Sequence, residues 1–310
     1  MPPLFALQTQ RNRWIDVGFA ALTQAMAAAI AALLLAIALT VGWWALPAMQ
    51  TFGLGFLTSS TWDPARDVYG VLPMVVGTLA SAAIGLGLAV PVGIGTAVFL
   101  SEAFLPPALR ATLVFLVELL AAIPSVVYGL WGVFVLIPLV KPVEQWLYDH
   151  FAWVPLFSSA PSGPGLLPAG LVLAIMVLPI ITAIARDSLV ALPPDLRQAA
   201  FAVGATRWET LTSILLPAAV SGITGGIMLA LGRALGETMA VTLLIGNANR
   251  ISPSIFAPAT TISSLLANQF AEASGLQVSA LMYAALILFA LTLVVNILAE
   301  LIVQRVKRRY

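Results

Sequence analysis

Six long apolar stretches alternate with shorter polar ones along this chain, at 21–46, 71–100, 111–140, 166–185, 218–246 and 279–303. A helix needs about 20 mostly apolar residues to cross a bilayer. The pattern therefore predicts an all-α integral membrane protein with six transmembrane helices. Three regions follow: an interfacial segment over 1–20, a six-helix domain over 21–303, and a basic tail over 304–310. The first segment interleaves Arg11, Arg13 and Asp16 with Trp14, Ile15, Val17 and Phe19, a composition suited to the membrane surface. The run at 21–46 is too long for the apolar core of a cleaved signal peptide and reads as a retained helix. It ends at Trp43, Trp44 and Pro47, and tryptophan favours the membrane interface.

Charge gives the helices a direction. Six spans put both termini on one side. That side then holds ten of the 14 basic residues: Arg11, Arg13, Arg110, Arg186, Arg197, Arg207, Arg305, Lys307, Arg308 and Arg309. The other side holds Arg66, Lys141 and Arg250. The excess of positive charge marks the cytoplasmic side, so both termini are expected there. The connections 48–70, 141–165 and 247–278 then face outward, and 186–217 faces the cytoplasm.

The remaining basic residue, Arg233, lies inside the fifth span with Glu237 four positions on, in AAVSGITGGIMLALGRALGETMAVTLLIG. On one continuous helix the two would share a face. A charge at mid-bilayer costs roughly 2.5–3.5 kcal/mol on insertion scales. Such a pair either neutralises itself structurally or faces a pathway. The third stretch carries Glu118 and then Ile123-Pro124-Ser125-Val126-Val127-Tyr128-Gly129. The proline and glycine there admit a simple kink or a true helix interruption, and interrupted helices are where transporters often build substrate sites. Glycines at 77, 85, 87, 93 and 95 read as helix-packing positions. Pro179 interrupts the fourth span, and Asn296 and Glu300 are polar residues of the sixth.

Composition narrows the chemistry. The chain is 61% hydrophobic and 9% charged, against about 25% charged in a soluble domain. A net charge of +1 gives no basis for a nucleic-acid partner. With no cysteine, disulfides, thiolate zinc sites and cysteine nucleophiles are excluded. The single histidine, His150, is a loop residue and too few for a metal centre. Lys141 precedes Pro142 and Lys307 precedes Arg308, so neither belongs to a nucleotide-binding phosphate loop. No catalytic motif, cofactor site or metal site is expected, and any ATP with its Mg must sit on a partner chain.

The loop 186–217 has its own punctuation. Pro193-Pro194 stops the preceding helix and Asp195 is placed to cap the next. Gly204 suits a left-handed helix end. Thr206 and Glu209 have the S/T-x-x-E spacing of a capping box. The expected structure is two short helices meeting at a rigid bend, with Pro217 at the membrane boundary.

Gln198-Ala199-Ala200, Gly204, Ile214 and Leu216-Pro217 resemble the EAA-x3-G-x9-I-x-LP loop of ABC importer permeases, with Gln198 in place of the leading glutamate. In that family the loop docks into the nucleotide-binding subunit, which would give Gln198, Ala199, Ala200, Gly204, Thr206 and Glu209 a coupling role. A narrower resemblance covers most of the chain. Tyr69-Gly70-Val71-Leu72-Pro73, Glu118 to Gly129 and Gly232-Arg233-Ala234-Leu235-Gly236-Glu237-Thr238-Met239-Ala240-Val241 are similar to the phosphate-specific permeases, of PstC type more than of the sister PstA type. This resemblance implies the type I ABC importer permease fold and a bacterial inner-membrane location. It also implies a complex with a PstA-type permease, a PstB-type ATPase dimer and a periplasmic PstS-type phosphate-binding protein. The transported ligand would be phosphate, passing Arg233, Glu237, Ser125 and Tyr128, with Glu118 in a structural or gating role. The rivals are a permease for sulfate, molybdate or phosphonate, and an ion-coupled transporter using Arg233, Glu237 and Glu118 as a relay. A membrane enzyme is disfavoured by the missing motifs.

Overall fold

Apolar length alone organises the molecule, and six helices are long and apolar enough to cross a membrane: Asp16–Phe52, Leu72–Ser101, Ser125–Phe151, Leu166–Val190, Arg207–Gly236 and Leu276–Arg305. The structure is a computed structural model that describes residues 4–102 and 104–307, with side chains over 16–102 and 104–305. The side chains of Arg11, Arg13 and Trp14, and most of the basic tail, lie outside the described residues.

From Val17 on, the first helix, α1 (Leu4–Phe52), carries mostly apolar residues on every side. That portion is exposed, and only its end nearest Phe52 is buried, where Ala45 and Ala48 pack with α13 (Leu276–Lys307). A helix apolar all round belongs in lipid or against partner helices. After a short helix, α2 (Gly55–Thr58), the connection to the next span forms a small hairpin, β1 (Trp62–Asp63) and β2 (Val68–Tyr69). Trp62, Tyr69 and Phe56 stack there with Phe52 and Tyr283. Burial first, and then the Asp67 carboxylate that accepts its hydrogen bond, push the Tyr69 phenol up to about 12.

The centre is α3 (Leu72–Ser101) packed along α7 (Leu166–Val190). Gly85 and Gly93 sit against Leu173 and Ile181 of α7, so the two backbones approach closely. Gly87 and Gly95 meet nothing within 4 Å, and only part of the glycine set serves packing within this chain. Helix α7 passes through Pro179 without a break and extends to Val190, so Pro179 does not interrupt the span and Arg186 and Asp187 are helical rather than loop residues.

The third apolar stretch divides differently from the expected 111–140. Helix α4 (Pro107–Ala121) ends before Pro124, and α5 (Ser125–Trp131) starts a new helix that continues through a π-helical turn at Gly132–Leu136 into α6 (Ile137–Phe151). The break is real and sits at Pro124, while Gly129 is helical. The spanning element is Ser125–Phe151, so residues 141–151 are helix and not outer loop. Both π turns, this one and Leu211–Leu215, end two residues before a proline, Pro138 and Pro217. Proline removes one i→i−4 bond, and one turn of wider helix re-routes the neighbouring bonds.

Residues 247–278 are not a simple surface loop. The chain folds back so that Gly165, Leu166 and Leu167 at the start of α7 donate N–H bonds to the carbonyls of Leu244, Ala257 and Ile255. These are orphan donors of a helix start, supplied here by irregular backbone. Helix α12 (Ile262–Gln269) begins at a capping box on Thr261, and Ile262 to Leu265 are buried. Thr78 of α3 accepts the Ile262 N–H at 3.1 Å.

Gly77 has no room for a side chain, because the Thr260 carbonyl occupies the place of its Cβ. Gly77→Ala should therefore destabilise the fold by about 1–3 kcal/mol. Thermal unfolding in detergent checks this, with Gly87→Ala as the control expected to leave the midpoint unchanged or raised.

Candidate functional site

The fifth span is one helix that starts at the bend after Gly204, formed by α9 (Arg207–Thr210), the π turn and α10 (Leu216–Gly236). It stops at Gly236. Glu237 is extended (φ −66°, ψ 128°), and α11 (Met239–Leu244) begins after Thr238. The expected single helix over 218–246 is thus broken at the charged motif, and Arg233 and Glu237 do not share a helical face. No ion pair joins them among the described residues. Each sits at a helix end that suits its charge. Arg233 is in the last turn of α10, where backbone carbonyls accumulate negative potential. Glu237 precedes α11 and accepts the Ala240 N–H at 3.4 Å.

Both residues line one cleft of about 640 Å³ with Ile180 of α7, Met228 and Gly232 of α10, and Asn296 of α13. Arg233 is exposed to it and free of hydrogen-bond partners among the described residues, whereas Glu237 is only 9% exposed. Asn296 Oδ1 is buried without a partner. Sequence reading noted Asn296 as a polar residue of the last span but gave it no place at the site. Its signal was the polarity, and its position beside α10 required the folded chain.

Tyr128 and Ser125 fall at the break between α4 and α5. The Tyr128 hydroxyl donates to the Leu120 carbonyl at 2.8 Å, reinforcing a helix end at which that carbonyl otherwise has only a long bond from the Ile123 N–H at 3.4 Å. Tyr128 is buried. Its donor is therefore committed to the helix break. Ser125 is half-buried, in the first turn of α5, and its hydroxyl has no partner among the described residues.

Glu118 lies apart from the cleft. Its carboxylate is 3.8 Å from Arg186, whose guanidinium is held more closely by Asp187 at 2.6 Å. The Glu118 side chain is 57% exposed, so the link between α4 and α7 is weak.

At the other end of this span, α8 (Pro194–Ala202) and α9 meet at a bend. Gly204 has φ +87°, the left-handed conformation that glycine adopts without a Cβ clash. Thr206 and Glu209 form the full capping box. Two details differ from expectation. Asp195 lies in the first turn and makes no cap, since Pro193 is the N-cap residue. The second helix is not short, because α9 continues into the span. Gln198, Ala199, Gly204, Thr206 and Glu209 are exposed, while Ala200 is buried. Phe201, Val203 and Trp208 add an exposed apolar surface to the bend. Arg197 ties it to the body, donating to Glu102 at 3.0 Å and to the Leu189 carbonyl at 3.3 Å. That pair joins α8 to the end of α3, and spacing along the chain gave no sign of it.

Residues 89–308 match the family described as binding-protein-dependent transport system inner membrane component. The phosphate transport system permease protein PstC of Mesorhizobium japonicum is 46% identical over 302 residues, covering 95% of this chain and 91% of its own. That of Pasteurella multocida is 43% identical over 311 residues, covering 97% of each. Among solved structures, an inward-facing MetNI methionine ABC transporter aligns with TM-score 0.52 and 19% identity over 76% of this chain and 94% of its own. A bacterial ABC transporter involved in the import of the acidic polysaccharide alginate gives TM-score 0.52 and 18% identity over 95% and 99%. These two likenesses concern the fold, which is that of type I ABC importer permeases.

Two substitutions probe the geometry. Tyr128→Phe removes the shortest bond to the Leu120 carbonyl, which keeps the Ile123 N–H at 3.4 Å, at a cost of about 1 kcal/mol. Amide exchange across 120–128 should accelerate accordingly. Glu102→Gln should loosen α8 by about 1 kcal/mol, since the pair is partly exposed. Faster proteolysis at the bend checks that outcome.

Proposed function

This chain belongs to the binding-protein-dependent transport system inner membrane components, and among them to the PstC phosphate transport system permeases; from that premise we propose that Arg233 and Glu237 form its anion checkpoint. The chain is a multi-pass permease subunit of an ABC phosphate importer and is itself no ATPase. Such a permease works with an ATPase and a substrate-binding protein. In the finer reading, these are a PstB-type dimer carrying ATP and Mg, and a PstS-type protein on the outer face. A PstA-type permease completes the pathway, and both termini of this chain face the cytoplasm of a bacterial inner membrane.

The observation that carries the checkpoint is the unpaired, cleft-facing Arg233 beside a carboxylate. Guanidinium recognises a tetrahedral oxyanion through two parallel charge-assisted bonds. A nearby carboxylate weakens the attraction, and transport requires a site that also releases its ion. Glu237 supplies that balance by facing the same cleft.

Coupling enters through the bend. Docking of the ATPase against Phe201, Val203 and Trp208 would act on α9, which is continuous with α10 as far as Gly236. A shift in the ATPase must favour one permease state over the other by differential affinity, or no transport follows. The Arg197–Glu102 pair keeps α8 registered on α3 during that shift.

Arg233→Gln should lower ATP-dependent phosphate uptake at least about tenfold, the loss of a charge-assisted contact. Labelled uptake in proteoliposomes holding the whole complex measures it, with co-purification of all subunits as the assembly control. Arg233→Lys should recover only part of the rate, because an ammonium is a point charge. Uptake by the Gln variant at the wild-type rate removes Arg233 from the pathway. Inhibition by arsenate but not by sulfate or molybdate is the expected substrate profile.

A further inference from the structure

A separate cavity of about 670 Å³ opens beside the bend at Gly204 and shares no lining residue with the cleft of Arg233. Its size falls in the range of about 300–1,000 Å³ that holds small-molecule ligands. One wall is the end of α3, with Ile94, Gly95, Val98 and Phe99. The facing wall is the start of the fifth span, with Trp208 and Leu216. Gly95 and Phe99 are exposed, and a side chain at Gly95 would meet nothing within 4 Å, so this chain leaves the space unfilled. By length and hydropathy one span ends at Ser101 and the other begins at Arg207. Ile94 and Leu216 lie about two helical turns inside those ends. The apolar part of the cavity therefore sits at bilayer depth. Its charged residues, Glu102, Arg197 and Arg207, sit at or beyond the span ends. Glu102 and Arg197 hold each other at 3.0 Å. The neighbouring Glu209 is committed to Thr206. Arg207 is exposed and has no ion pair among the described residues, which leaves one free positive charge at the rim.

We propose that this cavity binds one anionic phospholipid, with an acyl chain along Gly95 and Phe99 and the headgroup phosphate on Arg207. The order of the lining carries the assignment: apolar inside the spans, cationic at their ends, as in a lipid with its tail inward and its anion at the boundary. Basic pockets between spans recognise anionic headgroups on this principle. A soluble partner covering the bend meets only the rim and leaves the part between the spans empty. An apolar helix of another permease fills that part and leaves Arg207 without a counter-ion. A lipid satisfies both, and a net negative one does so best, because a zwitterionic headgroup carries its own cation to its phosphate. The bound lipid bridges α3 and α9 beside the Arg197–Glu102 pair, so the charge of the membrane joins the contacts that hold the bend. The site does not depend on the reading of the Arg233 cleft.

Trp208 reports on the cavity. The complex of both permeases and the ATPase is placed in phosphatidylcholine nanodiscs doped with phosphatidylglycerol or phosphatidylcholine, each brominated on its acyl chains. Bromine quenches an indole it touches, and the fluorescence lost in Trp208→Phe separates Trp208 from the other tryptophans. In the wild type, half-quenching of Trp208 should need at least about fivefold less brominated phosphatidylglycerol than brominated phosphatidylcholine, the preference that one juxtamembrane cation confers. Arg207→Gln should bring that ratio below about twofold, and Arg207→Lys should keep it, because the headgroup needs the charge. Gly95→Leu should raise the phosphatidylglycerol fraction needed at least about threefold, since its side chain takes the place of the tail. Co-purification of all subunits confirms assembly of each variant. Equal quenching by the two lipids in the wild type overturns the proposal, and so does a preference that survives Arg207→Gln. A quenching curve unmoved by Gly95→Leu in the assembled complex removes the tail from the cavity and overturns it as well. Protection of Trp208 from both lipids means that a protein fills the cavity, which also overturns it.

Discussion

A backbone N–H or C=O left unpaired in hydrocarbon costs several kcal/mol, and this constraint shapes every irregular part of the molecule. The chain breaks its helices at Pro124 and after Gly236, and it folds residues 245–261 back among them. Each departure comes with its own compensation. Tyr128 supplies a hydroxyl to the Leu120 carbonyl, beside its long bond from the Ile123 N–H. The returning segment supplies carbonyls to the first amides of α7. Before Pro138 and Pro217, π turns redistribute the bonds that proline removes.

The same breaks create the electrostatics of the cleft. Had 218–246 been one helix, Arg233 and Glu237 would have stood one turn apart, free to neutralise each other. Ending α10 at Gly236 gives each charge its own helix terminus. Arg233 gains from the carbonyl end of α10, and Glu237 from the amide end of α11. Stabilised by backbone rather than by one another, both keep unused hydrogen-bonding capacity toward the cleft. Asn296 belongs to the same arrangement, since α13 packs on α10.

The cleft and the bend at Gly204 are joined by a single rod. The helical run from Arg207 to Gly236 has 30 residues, about 45 Å at 1.5 Å per residue. Its lower end is fixed by the capping box and by the packing of Leu211 and Leu215 against Ala185 and Leu189. Its upper end carries Arg233. A displacement at the bend is thus delivered to the cleft without an intervening hinge in the helical ladder, apart from the wider turn at Leu211–Leu215.

Features with a local cause were legible in the sequence by itself. Six apolar runs gave six spans, because crossing a bilayer is a matter of length and hydropathy. Gly204, Thr206 and Glu209 gave the bend, because caps and left-handed turns depend on residues within a few positions. Pro124 marked the place of a kink or a break for the same reason, and the structure shows a break. Tertiary structure decided whatever depended on distant backbone. The Gly236 break was hidden because its flanks are as apolar as any helix, and only packing of α11 against α5 and α7 makes a second helix favourable there. The burial of most of 254–265 was hidden because its serines, threonines and prolines look like loop, yet its backbone at Ile255, Ala257 and Ile262 bonds to α3 and α7. Asn296 and the Glu102–Arg197 pair were visible as residues but not as neighbours. A one-dimensional pattern records which groups the chain must satisfy, and the fold determines which distant groups satisfy them.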